Sequence, residues 1–351
     1  MNTAFPDPIL QSSLSLEEIG LAVQLLLRQD ISDESKGRFL SDLHGRGETA
    51  QELAGFASIL LEKGVKPSIE RHEEMSLVEL CGTGGDQAGL LNISTAAMFV
   101  VAGAGVRVVK HGNRAVSSRC GSADVLEALG VELHLLPERV NEVLDRAGCV
   151  FMLASDFHPA VAAVAPVRRV LAARGQMTIF NLLGPLLNPA CPDFQLTGVY
   201  SREVLDLYAE ALHLIGRRAA WAVYGEGRPG ESGFDELSVI GLSHVASFRE
   251  GVTQSFVIDP FELGFSGELE GDVLLGGDAA ANASRIVSIL SGEEKGAARG
   301  MILLNAAAAI HVTGRTKTLP EAITIARESI DSGSAEHSLN LLRFASEGAV
   351  R

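Results

Sequence analysis

The chain has 351 residues, 46% hydrophobic and 21% charged, long enough for a sizeable core and for one large and one small domain. Its formal net charge of −15 argues against a nucleic-acid partner, since a duplex would be repelled rather than its counterions released. Four cysteines without CxxC spacing argue against a disulfide scaffold or a structural zinc and point to a reducing compartment, the cytoplasm.

Met1 to Leu10 has no basic region followed by an apolar core, so no signal peptide is expected. Residues 14–64 read as helices only. Ser15 with Glu18, and Thr49 with Glu52, have the spacing of capping boxes, each followed by an apolar pattern at helical period. Gly64 and Pro67 end this region.

From Leu77 short apolar runs alternate with helical segments. The runs Leu77–Cys81, Val106–Val109, Val131–Leu135, Val150–Ala154, Gln195–Tyr200 and Ala219–Tyr224 predict strands. Between them Ser94–Ala104, Ser122–Leu129, Pro137–Ala147, Pro159–Ala173 and Arg202–Ile215 predict helices. This alternation is that of parallel β-α-β construction, in which ligands sit beyond the carboxyl ends of the strands. Leu182–Pro189 is apolar but punctuated, neither a clean strand nor a clean helix. A β-rich piece, His244–Val257, precedes helices at about 278–292, 297–313 and 319–332. The longest apolar stretches, Ala96–Val106 and Ala306–Val312, fall short of the ~18–20 residues of a membrane span, so no membrane partner is expected.

Two glycine-bearing segments follow predicted strands. Gly82, Thr83, Gly84, Gly85 and Asp86 form a loop whose backbone N–H groups can approach an anion without side-chain interference. It has neither the GKS/GKT of a Walker A loop nor GxGxxG, and alone it reads as an ordinary tight turn. Asn92, Ile93, Ser94 and Thr95 open a helix, where free N–H groups favour phosphate, although hydroxyls also cap helices that bind nothing. Lys110 to Ser118 brings two cations, an imidazole, an amide and two hydroxyls within nine residues, followed by Gly121 and a capping Ser122. Arg114 can fork on phosphate and Lys110 can act as a point charge. Asp235 and Glu236 lie in a loop after the last predicted parallel strand. Adjacent acids are usually solvated, but beside a pyrophosphate they become oxygen ligands for Mg²⁺.

Together these segments resemble the anthranilate phosphoribosyltransferase family, through Gly82–Asp86, Asn92–Thr95, Lys110–Asp124, Ala165–Arg169, Thr178–Pro189 and Asp235–Glu236 in that order. The chain departs from the family pattern at Gln87, Leu90, Cys120 and Phe157, and in the lengths of 171–177 and 226–234. The resemblance implies the nucleoside-phosphorylase-like fold: α/β, with a small all-helical N-terminal domain, a large domain around a mainly parallel sheet, and a homodimer formed through the helical part. It places the small domain at residues 1–75, joined by a segment near 174–200, and the large one at 76–351.

It further implies that phosphoribosyl pyrophosphate is bound by Gly82, Gly85, Asp86, Asn92, Ile93, Ser94, Thr95, Lys110, His111, Gly112, Asn113, Arg114, Ala115, Val116, Ser117, Ser118 and Ser122. Anthranilate would meet Gly82, Asn113 and Arg168, with His111 and His158 nearby. Ser94, Asp235 and Glu236 would hold magnesium. The implied reaction is displacement of pyrophosphate from C1 of the ribose by the acceptor's amine. No general base is assigned, because an aromatic amine is nucleophilic when neutral. The alternatives are a pyrimidine nucleoside phosphorylase-like enzyme and a non-enzymatic nucleic-acid-binding relative on the same scaffold.

Overall fold

A computed structural model describes residues 4–9, 13–72, 75–86, 88–115, 119–228, 230–265 and 274–348. Three helices open it: α1 (Leu16–Leu27), α2 (Asp33–Arg46) and α3 (Ala50–Lys63). Both expected capping boxes form, on Ser15 with Glu18 and on Thr49 with Glu52. Glu52 does more than cap. It is fully buried, accepts the Leu14 N–H at 2.8 Å and pairs with Arg46. Removing one partner of such a pair leaves a desolvated charge, so Glu52→Ala will cost about 3–5 kcal/mol in urea unfolding. A loss below about 1 kcal/mol, the value of an exposed pair, would contradict this reading.

The alternating part runs β1 (Leu77–Gly82), α4 (Ile93–Gly103), β2 (Arg107–Gly112), α5 (Ser122–Ala128), α6 (Val140–Ala147), β3 (Cys149–Leu153) and α7 (Ala154–Phe157). It continues through α8 (Ala165–Ala173), α9 (Phe180–Leu183), β4 (Phe194–Gly198), α10 (Leu205–Leu214), β5 (Ala219–Gly225), β6 (Ser243–Arg249) and β7 (Val252–Ile258). Four helices close the chain: α11 (Ala279–Leu290), α12 (Ala297–Val312), α13 (Leu319–Asp331) and α14 (Ser334–Ser346). No described helix is long and apolar enough to cross a membrane.

The strands form one sheet in the order β3-β2-β1-β4-β5-β6-β7. Pairing is parallel from β3 to β5 and antiparallel for β6 and β7. A small helical N-terminal domain is thus followed by a larger α/β domain. The chain builds β1, β2 and β3 outward in one direction and then returns to place β4 on the other side of β1. Strand order therefore reverses between β1 and β4, the switch point where such sheets leave a crevice for ligands.

Several expectations need correction. Val131–Leu135 is not a strand. Val131, Leu133 and Leu135 alternate inward, but the segment packs against α14, where the Glu132 N–H donates to Ser346 Oγ at 3.1 Å. Alternation reports a half-buried surface and cannot say whether a sheet or a helix covers it. The helix expected over 159–173 begins as a 3₁₀ turn at Pro159–Val164, and α8 starts afresh with Pro166 in its first turn. The β-rich piece is a hairpin, turned at Glu250 and Gly251 with φ of 51° and 81°. Helix α14 was not anticipated; Gly333, at φ 79°, separates it from α13.

Two apolar clusters result. One unites the sheet with α4 and α12, a helix buried all round. The other joins α1–α3 with Val167 and Leu171 of α8, Leu182–Leu187, and α10.

Candidate functional site

Gly82 and Gly198 are register partners at the carboxyl ends of β1 and β4, on either side of the switch point. Neither tolerates a side chain. A Cβ on Gly82 would lie 2.2 Å from Asp235 Oδ2, and one on Gly198 would lie 1.5 Å from the Asp235 carbonyl oxygen. On β5, a Cβ at Gly225 would come within 2.3 Å of the Glu236 carbonyl. Three strand-end glycines thus clear a path for the acidic doublet across the rim.

The doublet is anchored on both sides. Asp235 Oδ2 accepts the Gly84 N–H at 2.8 Å, and Asp86 Oδ2 takes the Asp235 N–H at 3.4 Å. Glu236 Oε1 accepts the Ser94 N–H at the start of α4, at 3.1 Å. Lys110 Nζ donates to Ser94 Oγ at 3.1 Å and to the Leu80 carbonyl at 2.6 Å. Behind it, Asn305 of α12 clasps the backbone of Leu237, accepting its N–H at 2.9 Å and donating to its carbonyl at 3.0 Å. Gly84 and Gly85, at φ 68° and 92°, give the turn a left-handed path.

Electrostatically the cluster is short of positive charge. Burial, then Asp86, pushes the Asp235 carboxyl up to about 7. Burial, then Asp235, holds Glu236 well above the usual carboxylate range. The buried Lys110 ammonium, lowered by desolvation, is the cation that opposes them. Among the described residues no three His, Cys, Asp or Glu side chains converge as a complete metal site. The donor set is two carboxylates and a hydroxyl, hard oxygens that suit Mg²⁺ when phosphate and water supply the remaining ligands.

The rest of the expected phosphate site is partly drawn together. Ile93 and Thr95 face the core of α4 and Ser94 faces the rim. Asn92 makes no cap bond; its amide donates to the Cys120 carbonyl at 3.1 Å and its oxygen accepts from Asn282 at 3.0 Å. Ser122 is the first helical residue of α5 rather than its cap, and its hydroxyl reaches the Asn113 carbonyl at 3.4 Å. Asp124 ties the loop, taking the N–H of Ala115 and of Gly121 at 2.8 Å each. Gly112 and Gly121 permit this closeness, since Cβ atoms there would meet Ser122 Oγ at 2.3 Å and the Ala115 nitrogen at 2.4 Å. Arg114 does not present an open fork: its guanidinium engages Glu127 at 2.8 Å and Asp124 at 3.3 Å. Val116, Ser117 and Ser118, like Gln87, lie outside the described residues.

On the other side, the His111 and His158 rings meet edge to face with centroids 5.3 Å apart. Burial lowers both, His111 to about 3, so both are neutral. His158 Nε2 lies 2.7 Å from the Leu187 carbonyl. Half-buried Arg168 stands over the Phe180 ring at 5.1 Å, and among the described residues it makes no ion pair or hydrogen bond. Sequence reasoning missed Gly198, Gly225, Glu79, Asn282 and Asn305. Only the two glycines, each closing a strand, carried a readable signal.

The helical bundle domain of the glycosyl transferase family matches residues 9–64, and the a/b domain of that family matches residues 74–336. Anthranilate phosphoribosyltransferase of Methanocorpusculum labreanum is 43% identical over 337 residues, covering 96% of this chain and 95% of the relative. That of Rubrobacter xylanophilus is 42% identical over 341 residues, 96% of each. Among solved structures, the anthranilate phosphoribosyltransferase of Thermus thermophilus superposes with a TM-score of 0.86 at 38% identity, covering 98% of this chain and 100% of that one. The Saccharomyces cerevisiae enzyme in complex with PRPP and Mg superposes with a TM-score of 0.85 at 26% identity, covering 98% and 97%.

Proposed function

The chain belongs to the anthranilate phosphoribosyltransferases, and from that premise we propose how its residues carry out the transfer. The enzyme moves the phosphoribosyl group of 5-phosphoribosyl 1-pyrophosphate to the amine of anthranilate, giving N-(5-phosphoribosyl)anthranilate and pyrophosphate. The observation that carries the site assignment is the contact of Asp235 and Glu236 with the Gly84 and Ser94 N–H groups, beside Lys110. The phosphoribosyl donor lies at this rim, along the Gly82–Asp86 turn, the start of α4 and the Lys110–Ser122 loop.

Ser94, Asp235 and Glu236 are the residues that would hold Mg²⁺. When bound, the ion neutralises charge on the departing pyrophosphate. Lys110 and the Gly85 N–H add to that stabilisation. The amine nitrogen forms its bond to C1 as the C1–oxygen bond breaks, and the amine then loses a proton. No side chain is assigned as base; catalysis rests on holding amine and anomeric carbon in line.

Arg168 is the partner for the acceptor's carboxylate, which its lack of an acid partner among the described residues supports. Neutral His111 and His158, with Asn113 and Gly82, border the same acceptor. A charge-assisted hydrogen bond is worth about 1.5–3 kcal/mol. Arg168→Gln will therefore raise KM for anthranilate about 10- to 100-fold and leave KM for the phosphoribosyl donor within about threefold. Equal rises for both substrates would remove Arg168 from the acceptor site.

The small domain is residues 1–75, joined through 174–200, and 76–351 is the large one. Exposed Leu16 on α1 supports a homodimer formed through the helical part. The free thiols of Cys81, Cys120, Cys149 and Cys191 support a cytoplasmic location. The reading is tested by mixing protein, Mg²⁺, phosphoribosyl pyrophosphate and anthranilate and following loss of the acceptor's fluorescence. No loss at high enzyme concentration, with free base released from thymidine and phosphate, would favour the phosphorylase alternative.

A further inference from the structure

The ladder between β1 and β2 is short. Leu77 pairs with Arg107 and Val78 with Val108, and among the described residues no later pair follows, although the strands run on to Gly82 and Gly112. Each stays paired on its other side, β2 to β3 through Gly112 and β1 to β4 through Gly82. The sheet therefore splits from Glu79 onward, between the two strands that lead into the glycine-bearing turns. A split orphans backbone groups in a buried place, and those groups must find other partners.

Side chains supply them. Glu79 Oε1 accepts the His111 N–H at 3.0 Å, Lys110 Nζ reaches across to the Leu80 carbonyl, and Asn188 Nδ2 donates to the Val109 carbonyl at 2.8 Å. Glu79 is fully buried, and among the described residues its second oxygen has no hydrogen-bond partner. Its neighbouring cations are Lys110 and Arg217, the latter held by Gln195 Oε1 at 2.8 Å. A buried carboxylate costs stability where an apolar side chain would fit, so its place in the middle of β1 calls for a reason.

We propose that Glu79 is a positioning residue for the phosphoribosyl donor. It wedges β1 and β2 apart, holds the end of β2 by the His111 N–H, and thereby sets where Lys110 and Asn113 stand relative to the Gly82–Asp86 turn. It does not touch the substrate. The five register pairs on each outer side keep both strands in the sheet without it. Losing the wedge thus moves the turn rather than dissolving the fold. The inference rests on the phosphoribosyl-transfer reading.

The test is calorimetric titration of phosphoribosyl pyrophosphate with Mg²⁺ into wild type, Glu79→Leu, Glu79→Gln and Glu79→Asp, with steady-state KM and kcat measured alongside. Leucine removes the acceptor and should raise Kd and donor KM at least tenfold with kcat within threefold. Glutamine keeps an oxygen for the His111 N–H and should restore binding to within threefold of wild type. Aspartate keeps the charge but falls a methylene short, and should bind like leucine; it decides the matter should the leucine variant not fold. Wild-type affinity in the aspartate variant, or equal weakening by glutamine and leucine, would overturn the wedge. Absence of binding by the wild-type protein would instead remove the transfer reading, and this inference with it.

Discussion

Asp235→Asn and Glu236→Gln will each lower kcat by about 10²- to 10³-fold while the melting temperature in metal-free buffer stays level or rises. A bound divalent ion contributes several kcal/mol of charge stabilisation, and each 1.36 kcal/mol is a factor of ten in rate. The two carboxylates are desolvated and repel each other and Asp86, with Lys110 as the opposing cation. Neutralising either eases that repulsion, which is why stability should not fall. Wild type should gain melting temperature when Mg²⁺ and donor are added together, and the variants should gain less. Full turnover in both variants would end the metal assignment.

Gly198→Ala will reduce kcat/KM at least 100-fold without unfolding the protein. The new methyl would lie 1.5 Å from a backbone oxygen of Asp235, and β4 cannot yield because β1 and β5 pair with it on both sides. The doublet must move, and a displacement of about 1 Å in a reacting constellation can cost about 10²-fold. Gly45→Ala in α2 is the control: nothing lies within 4 Å of its Cβ, and activity should be unchanged. Activity within threefold of wild type in Gly198→Ala would mean that the doublet's position is not critical.

The local parts of this site were legible because their chemistry is compressed into short segments after strands. Gly82–Asp86 and Lys110–Asn113 announced themselves that way, and topology then placed both at one rim. Two of the residues that were missed act through the backbone of a distant segment. Asn305 holds Leu237 from 68 positions away, and Glu79 holds His111 from 32. One amide in an alanine-rich helix, or one acid in an apolar strand, carries no local mark of its partner. Arg114 has an acidic partner that its own motif did not show. Its motif suggested an open fork, while Glu127, one helix away, competes for it. The fold was legible wherever periodicity and punctuation agreed, and it failed at Val131–Leu135, where an alternating run is covered by a helix instead of a neighbouring strand.

If the proposed site assignment holds, the two apolar clusters divide the labour of the reaction. Lys110, the Gly82 turn and the acidic doublet are carried by the sheet and α12, whereas Arg168 is carried by α8, whose Val167 and Leu171 belong with the helical bundle. On the proposed assignment, nucleophile and electrophile would be gripped from separate cores. The gap between them is a property of how those cores seat against one another, adjustable by repacking far from any ligand, and a shift of that seating would retune turnover without altering a single group that touches either reactant.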